Sequence, residues 1–176
     1  MTEILILEGG FNEEHKVSLN TAKQVKKVFK KNKINYRSLI VNPRTFENII
    51  DKYSNKLICF NALHGTFGED GKIHKILKKK KFKFTHSGIY ASKNCFNKIN
   101  SKKMLTKYKI PTPIFFEIKP NLLNESYLNK YKKKFDKFII KPNESGSSFG
   151  IRIIKTKNDL DNLIKNLKNY KKELKY

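Results

Sequence analysis

Residues 57–71 read LICFNALHGTFGEDG, and how this stretch is parsed decides the fold. The apolar run Leu57-Ile58-Cys59-Phe60 has the length and composition of a buried strand, and it opens into a loop holding His64, Glu69 and Asp70 among three glycines. In an open α/β sheet, ligands bind outside the carboxyl ends of the strands, which makes His64 a candidate ligand contact. The same glycines and the Asp70-Gly71 pair also suit an ordinary turn leading into a helix.

Working outward, strands and helices alternate from the first residues. Ile4 to Leu7 reads as a strand, followed by a helix from about Glu13 to Lys31 with Val17, Ala22, Val25, Val28 and Phe29 spaced as a buried stripe. Tyr36 to Val41 is the next strand and Pro43 to Tyr53 the next helix, with proline near its first turn. After the Leu57–Asn61 strand come a helix (Asp70–Lys80), a short strand (Phe82–Thr85) and a helix (Ile89–Phe96). This alternation predicts an α/β layout with a largely parallel sheet. Ile110-Pro111-Thr112-Pro113 is then a stiff, extended connector. Beyond it we expect a strand (Ile114–Ile118), a helix (Glu125–Phe135), two apolar strands (Phe138–Lys141 and Ile151–Lys155) and a final helix from about Asn158. The boundary falls near residue 97, giving domains 1–96 and 97–176.

Composition narrows the class. With 176 residues, 38% of them hydrophobic, the chain can fold one domain or two small ones. Cys59 and Cys95 form neither a disulfide framework nor a zinc pattern, and a reducing, cytoplasmic setting fits them. No stretch approaches the roughly 18 apolar residues of a membrane span, so a soluble chain with no membrane partner is expected. The net charge of +24 points on its face to nucleic acid. Its texture argues otherwise: Arg37, Arg44 and Arg152 are the only arginines, although arginine is best suited to bidentate phosphate and base contacts. Lysines are spread over nearly every helix and accompanied by asparagines, as a coding bias would produce, and no nucleic-acid partner is expected.

Two further segments carry chemistry. In KPNESGSSFG, positions 141–150, Gly146-Ser147-Ser148-Phe149-Gly150 offers backbone N–H groups and hydroxyls near Lys141, the groups that cradle phosphate. It is neither GxGxxG nor a P-loop, and a plain hairpin turn accounts for it equally well. In GGFNEEHKVSL, positions 9–19, Glu13 and Glu14 fall in the first turn of a helix, where the dipole favours acids for purely structural reasons. His15 and Lys16 read as solvent-facing, and His74 and His86 as structural or surface residues.

Taken together and in order, these segments resemble the D-alanine–D-alanine ligases of the ATP-grasp superfamily. GGFNEEHKVSL is similar to the family's opening Gly-Gly-x-x-x-Glu-x-x-Val-Ser, and ALHGTFGEDGKI to its Leu-His-Gly-x-x-Gly-Glu-Asp-Gly signature. FTHSGIYAS resembles its Tyr-Thr-Gly-Ser-Gly segment, with His86 in place of a glycine; KINSKKMLTKYKIPTP resembles the approach to the ATP-binding domain, and KPNESGSSFGI the phosphate loop.

The resemblance implies an N-terminal Rossmann-like (pre-ATP-grasp) domain followed by the first α+β subdomain of an ATP-grasp fold, with the C-terminal subdomain absent. It implies that Glu14 holds the ammonium of the first D-alanine with His64 beside it, and that Ser147 links Glu14 toward a catalytic loop. Lys98, Lys141 and the backbone of Gly146, Ser147, Ser148 and Gly150 would contact ATP. In the family's reaction the first D-alanine carboxylate attacks the γ-phosphate, and the amine of the second attacks the acyl phosphate. Magnesium would be held by the part of the fold beyond Tyr176, where the residues choosing D-alanine, D-lactate or D-serine as second substrate also lie. The expectation is therefore a ligase of peptidoglycan synthesis that is truncated or encoded in two pieces and inactive alone. The alternative is a non-catalytic amino-acid or nucleotide-binding domain, or half of a split ligase. The expected partners are D-alanine, ATP, and either a second copy in a homodimer or a complementary C-terminal fragment.

Overall fold

The short apolar runs of the first unit become strands of a sheet covered by helices. A computed structural model describes residues 3–174. They divide into two compact units, the first ending at Ser101 and the second starting at Lys102.

In the first unit, β1 (Ile4–Gly9), β2 (Tyr36–Val41), β3 (Ile58–Asn61) and β4 (Lys83–Phe84) form one sheet in the order β2-β1-β3-β4, with every pair parallel. Helices α1 (His15–Lys31), α2 (Phe46–Ile50) and α3 (Lys72–Lys79) make the crossovers, and α4 (Ile89–Phe96) follows β4. Alternation along β1 separates two cores. Leu5 and Leu7 pack with Phe46, Ile50, Ile73 and Leu77 of α2 and α3, while Ile6 packs with Ala22 of α1. The register Ile4↔Tyr36 and Ile4↔Ile58 sets β1 centrally between β2 and β3. From β1 the chain crosses to one side of the sheet, and from β3 to the other. The order therefore reverses between β1 and β3, the position at which open α/β sheets bind ligands at the carboxyl ends of their strands.

The stripe on α1 is narrower than its spacing predicts. Val17 and Val28 are exposed, and Ser18 is buried instead, because its Oγ accepts a hydrogen bond from the Gly9 N–H at 2.8 Å. The helix begins at His15 rather than Glu13, with Glu14 at its N-cap.

The units divide within α5 (Lys98–Lys107). In the second unit α6 (Glu125–Phe135) leads to β5 (Phe138–Ile140) and β6 (Arg152–Ile154), an antiparallel pair, followed by α7 (Lys157–Lys165) and α8 (Leu167–Glu173). Leu123, Leu128, Ile154, Leu160, Leu163 and Tyr170 form its core. The strand expected at Ile114–Ile118 does not form: residues 110–119 join no ladder among the described residues. Pro111 and Pro113 remove two of the N–H groups a ladder needs at its edge. The single helix expected from Asn158 is two helices that break at Asn166. The start of α7 carries a capping box, Thr156 accepting from the Asp159 N–H while the Asp159 carboxylate accepts from the Thr156 N–H.

Candidate functional site

The loops that leave β1 and β3 meet at the switch point, and Asn12 ties them together. Its side-chain amide donates to the carbonyls of His64 (2.8 Å) and Thr66 (3.0 Å), and its Oδ1 accepts from the Glu14 N–H (3.0 Å). Glu14, two residues on, is only 1% exposed, with its carboxylate turned toward Gly65. Gly65 has φ +68°, and a Cβ there would lie 2.4 Å from Glu14 Oε2 and 2.9 Å from Asn12 Nδ2. Glycine is required at this position both by backbone conformation and by the close approach of the carboxylate.

His64 stands beside this contact. Its Nε2 lies 2.8 Å from Thr21 Oγ1 on α1, and its Nδ1 is 3.9 Å from Glu69 Oε1. Glu69 in turn accepts from the Gly65 N–H at 2.8 Å. The ring is thus held from α1 on one side and faces the acidic loop on the other. Deeper in, Asn61 donates to the Gly68 carbonyl and accepts from the Leu63 N–H, which fixes the loop from within. The structure brings Glu14 and His64 to one strand end. Sequence reasoning missed Asn12 and Thr21, whose partners lie 52 and 43 residues away. It also read His15 as solvent-facing, whereas this residue is half-buried with Nδ1 2.6 Å from the Gly10 carbonyl oxygen. His86 does not take a left-handed backbone, so replacing a glycine there creates no conformational conflict.

The other candidates belong elsewhere in the chain. Lys98 is the first residue of α5. Lys141 follows β5, and Gly146, Ser147, Ser148 and Gly150 form the loop between β5 and β6 of the second unit. Three residues in that loop have positive φ: Ser147 (43°), Ser148 (63°) and Gly150 (66°). Two neighbouring serines in this region are strained, at about 1–3 kcal/mol each. Successive N–H groups in such turns form concavities that suit anions. The turn is closed by the Phe149 N–H donating to the Gly146 carbonyl at 3.0 Å, and Tyr170 on α8 donates its hydroxyl to the Gly150 carbonyl at 2.8 Å. A Cβ at Gly150 would lie 2.6 Å from Pro142 Cγ, so this close turn also demands glycine. The loop is therefore a built cradle, and its donor set fits a phosphate group. No three His, Cys, Asp or Glu side chains converge as a metal site among the described residues, which give magnesium no ligand set of their own. Among them, too, no helix is long and apolar enough to cross a membrane.

Known proteins are similar to this chain over nearly its whole length. No protein-family model matches it. The D-alanine–D-alanine ligase of Pelagibacter ubique is 44% identical over 169 residues, covering 94% of this chain and 53% of that protein. A crystal structure of D-alanine–D-alanine ligase from Bacillus anthracis aligns with a TM-score of 0.74 at 27% identity, covering 97% of this chain and 55% of that one. A structure of the Bacillus anthracis ligase complexed with ATP aligns with a TM-score of 0.71 at 25% identity, over 97% and 56% of the two chains. The chain spans about half the length of the curated relatives it matches. In sequence and in fold alike, the chain belongs with the N-terminal portion of the D-alanine–D-alanine ligase family.

Proposed function

We propose that the chain serves the ATP-dependent joining of two D-alanine molecules for peptidoglycan synthesis, and that its first unit binds the first D-alanine. One observation carries this reading: the buried Glu14 carboxylate lies against Gly65, next in sequence to the fixed His64 ring, where the loops leaving β1 and β3 meet at the switch point. An ionised carboxylate only accepts hydrogen bonds, which suits it to an amino-acid ammonium. His64 offers a ring held in place beside it for the rest of the substrate. Small substrates gain most from such fixed geometry, because reacting groups held in place avoid an entropic barrier.

The 141–150 loop and Lys141 are assigned to ATP phosphates, and Ser147 and Lys98 take their roles in substrate and nucleotide binding from the family resemblance alone. The ATP-bound Bacillus anthracis relative supports a nucleotide in this role. ATP supplies the phosphoryl group that activates the carboxylate. This chain's residues orient the amino acid and neutralise phosphate charge. The two free thiols, Cys59 and Cys95, accord with a cytoplasmic setting.

Calorimetry tests the reading directly. The chain should release heat with D-alanine and less with L-alanine, and Glu14→Gln should weaken D-alanine binding by roughly tenfold or more, as expected when a charge-assisted hydrogen bond is lost. Equal heats for the two enantiomers, or an unaffected Glu14→Gln variant, would remove the assignment. Lys141→Ala should weaken ATP while leaving D-alanine binding intact.

A further inference from the structure

A neutral imidazole can carry its proton on either nitrogen, and for His64 the neighbouring groups decide which. Nε2 lies 2.8 Å from the Thr21 hydroxyl, a full hydrogen-bond contact, while Nδ1 faces Glu69 Oε1 at 3.9 Å. Thr21, His64 and Glu69 all line one cleft of the first unit. The His64 side chain is 29% exposed, so the ring is open to a ligand.

A threonine inside a helix commonly donates its hydroxyl to the carbonyl one turn earlier, as Thr106 on α5 does to Lys102 at 3.0 Å. The Thr21 hydroxyl makes no bond of that kind among the described residues, where its partner is His64 Nε2. Its hydrogen is therefore available to the ring. Glu69 completes the arrangement. Its Oε2 accepts from the Gly65 N–H at 2.8 Å, which leaves Oε1 as the oxygen turned toward Nδ1. At 3.9 Å this is no hydrogen bond, yet a carboxylate so near acts on the ring through its charge. It favours an N–H dipole pointing at it and disfavours a bare lone pair. With the proton on Nε2, Thr21 would accept, its own hydrogen would go unused, and the Nδ1 lone pair would face the carboxylate. With the proton on Nδ1, both contacts are favourable. A carboxylate beside Nδ1 and a hydroxyl on Nε2 is the same division of labour that fixes the imidazole tautomer in hydrolytic triads.

We propose that Thr21 is a positioning residue of the amino-acid site: its hydroxyl donates to His64 Nε2 and keeps the ring proton on Nδ1. The consequence for the substrate rests on the proposed placement of D-alanine beside Glu14 and His64. With Nε2 occupied by Thr21, His64 has no free lone pair with which to draw a proton from the substrate ammonium. What it offers the amino acid is a hydrogen-bond donor, Nδ1–H, and the ammonium is left to the Glu14 carboxylate.

Nitrogen-15 spectra of the full chain, labelled at histidine and recorded without ligand well above the ordinary histidine pKa of about 6.5, read the tautomer directly, because a ring nitrogen carrying hydrogen resonates far from a bare one. The His64 signals are assigned by their absence from His64→Asn, and they should show the proton on Nδ1. Thr21→Val keeps the branched shape and removes the donor. It should move the proton to Nε2 and raise the D-alanine dissociation constant roughly three- to tenfold, the range of one neutral hydrogen bond. Thr21→Ser should keep both at the parent values. A proton on Nε2 in the parent chain overturns the proposal, as does a Thr21→Val variant with the parent tautomer or the parent D-alanine affinity. If Thr21→Ser loses as much as Thr21→Val, the effect belongs to the packing of the threonine methyl and the proposal again fails. A parent chain that shows the Nδ1 tautomer but binds no D-alanine would overturn the amino-acid reading and leave the Thr21–His64 assignment standing, since the spectra are recorded without substrate.

Discussion

At Gly65, backbone conformation and function meet in one residue. The positive φ disfavours most side chains, and the 2.4 Å approach of Glu14 Oε2 means that even a methyl group has to displace the carboxylate. Gly65→Ala should therefore destabilise the first unit by about 1–3 kcal/mol in urea unfolding and displace the Glu14 carboxylate. D-alanine binding should then fall at least as far as in Glu14→Gln; a variant with parent stability and affinity would show that the close contact has no consequence. His74 sets a second residue-level expectation, in pH. Its folded pKa lies below the ordinary 6.5, chiefly through burial, whereas the unfolded chain takes up a proton near that value. The unfolded state thus binds more protons below about pH 6.5, and the stability His74 contributes is fully present above that pH and lost as pH falls below it. Unfolding free energy should drop between pH 7 and 5, and His74→Phe should flatten that drop. An unchanged slope in the variant would assign the loss to other groups.

Among the elements, the β5–β6 pair shows how position decides energetic weight. Two strands alone are marginal, so this pair depends on the helices packed against one face. Ile154 sits on that face, 1% exposed, while its neighbour Ile153 is 53% exposed opposite Ile139. Ile154→Ala should cost about 2–5 kcal/mol, and Ile153→Thr about 0.5 kcal/mol or less, in chemical denaturation of the second unit. Similar costs for the two would mean that the exposed face is covered in solution. The same contrast explains what the sequence disclosed. Strands β1 and β3 were legible because apolar runs covered by helices on both faces leave no other reading. The Ile114–Ile118 segment looked equally apolar, but prolines at 111 and 113 deny it a ladder, and a hydrophobic run does not report its hydrogen-bonding partner. Helix α5 escaped notice because it buries no residue and carries no stripe. At the site, Glu14 and His64 could be picked out from ordered motifs. Asn12 and Thr21 could not, since their roles exist only once distant loops have been brought together.

Over the whole molecule the charge of +24 governs behaviour beyond the sites. Two of the three arginines are engaged internally: Arg37 pairs with Glu3 at 2.8 Å, while Arg152 pairs with Glu173 at 2.6 Å and lies 4.6 Å from the Tyr170 ring centroid. What faces solvent is chiefly lysine, which attracts anions as point charges rather than reading them in a fixed fork. Such a surface binds polyanions through released counterions and without regard to sequence. The chain should therefore bind duplex DNA measurably at low ionic strength, and the logarithm of affinity should fall linearly with the logarithm of salt. By physiological ionic strength, where the screening length is about 8 Å, affinity should sink to the level of non-specific binding, roughly 10⁻⁴–10⁻⁶ M. Fluorescence anisotropy with two unrelated duplexes of equal length checks both points. Affinity that stays tight as salt rises, or that separates the two duplexes, would make nucleic acid a specific partner and turn the scattered lysines from a solvated coat into a binding surface.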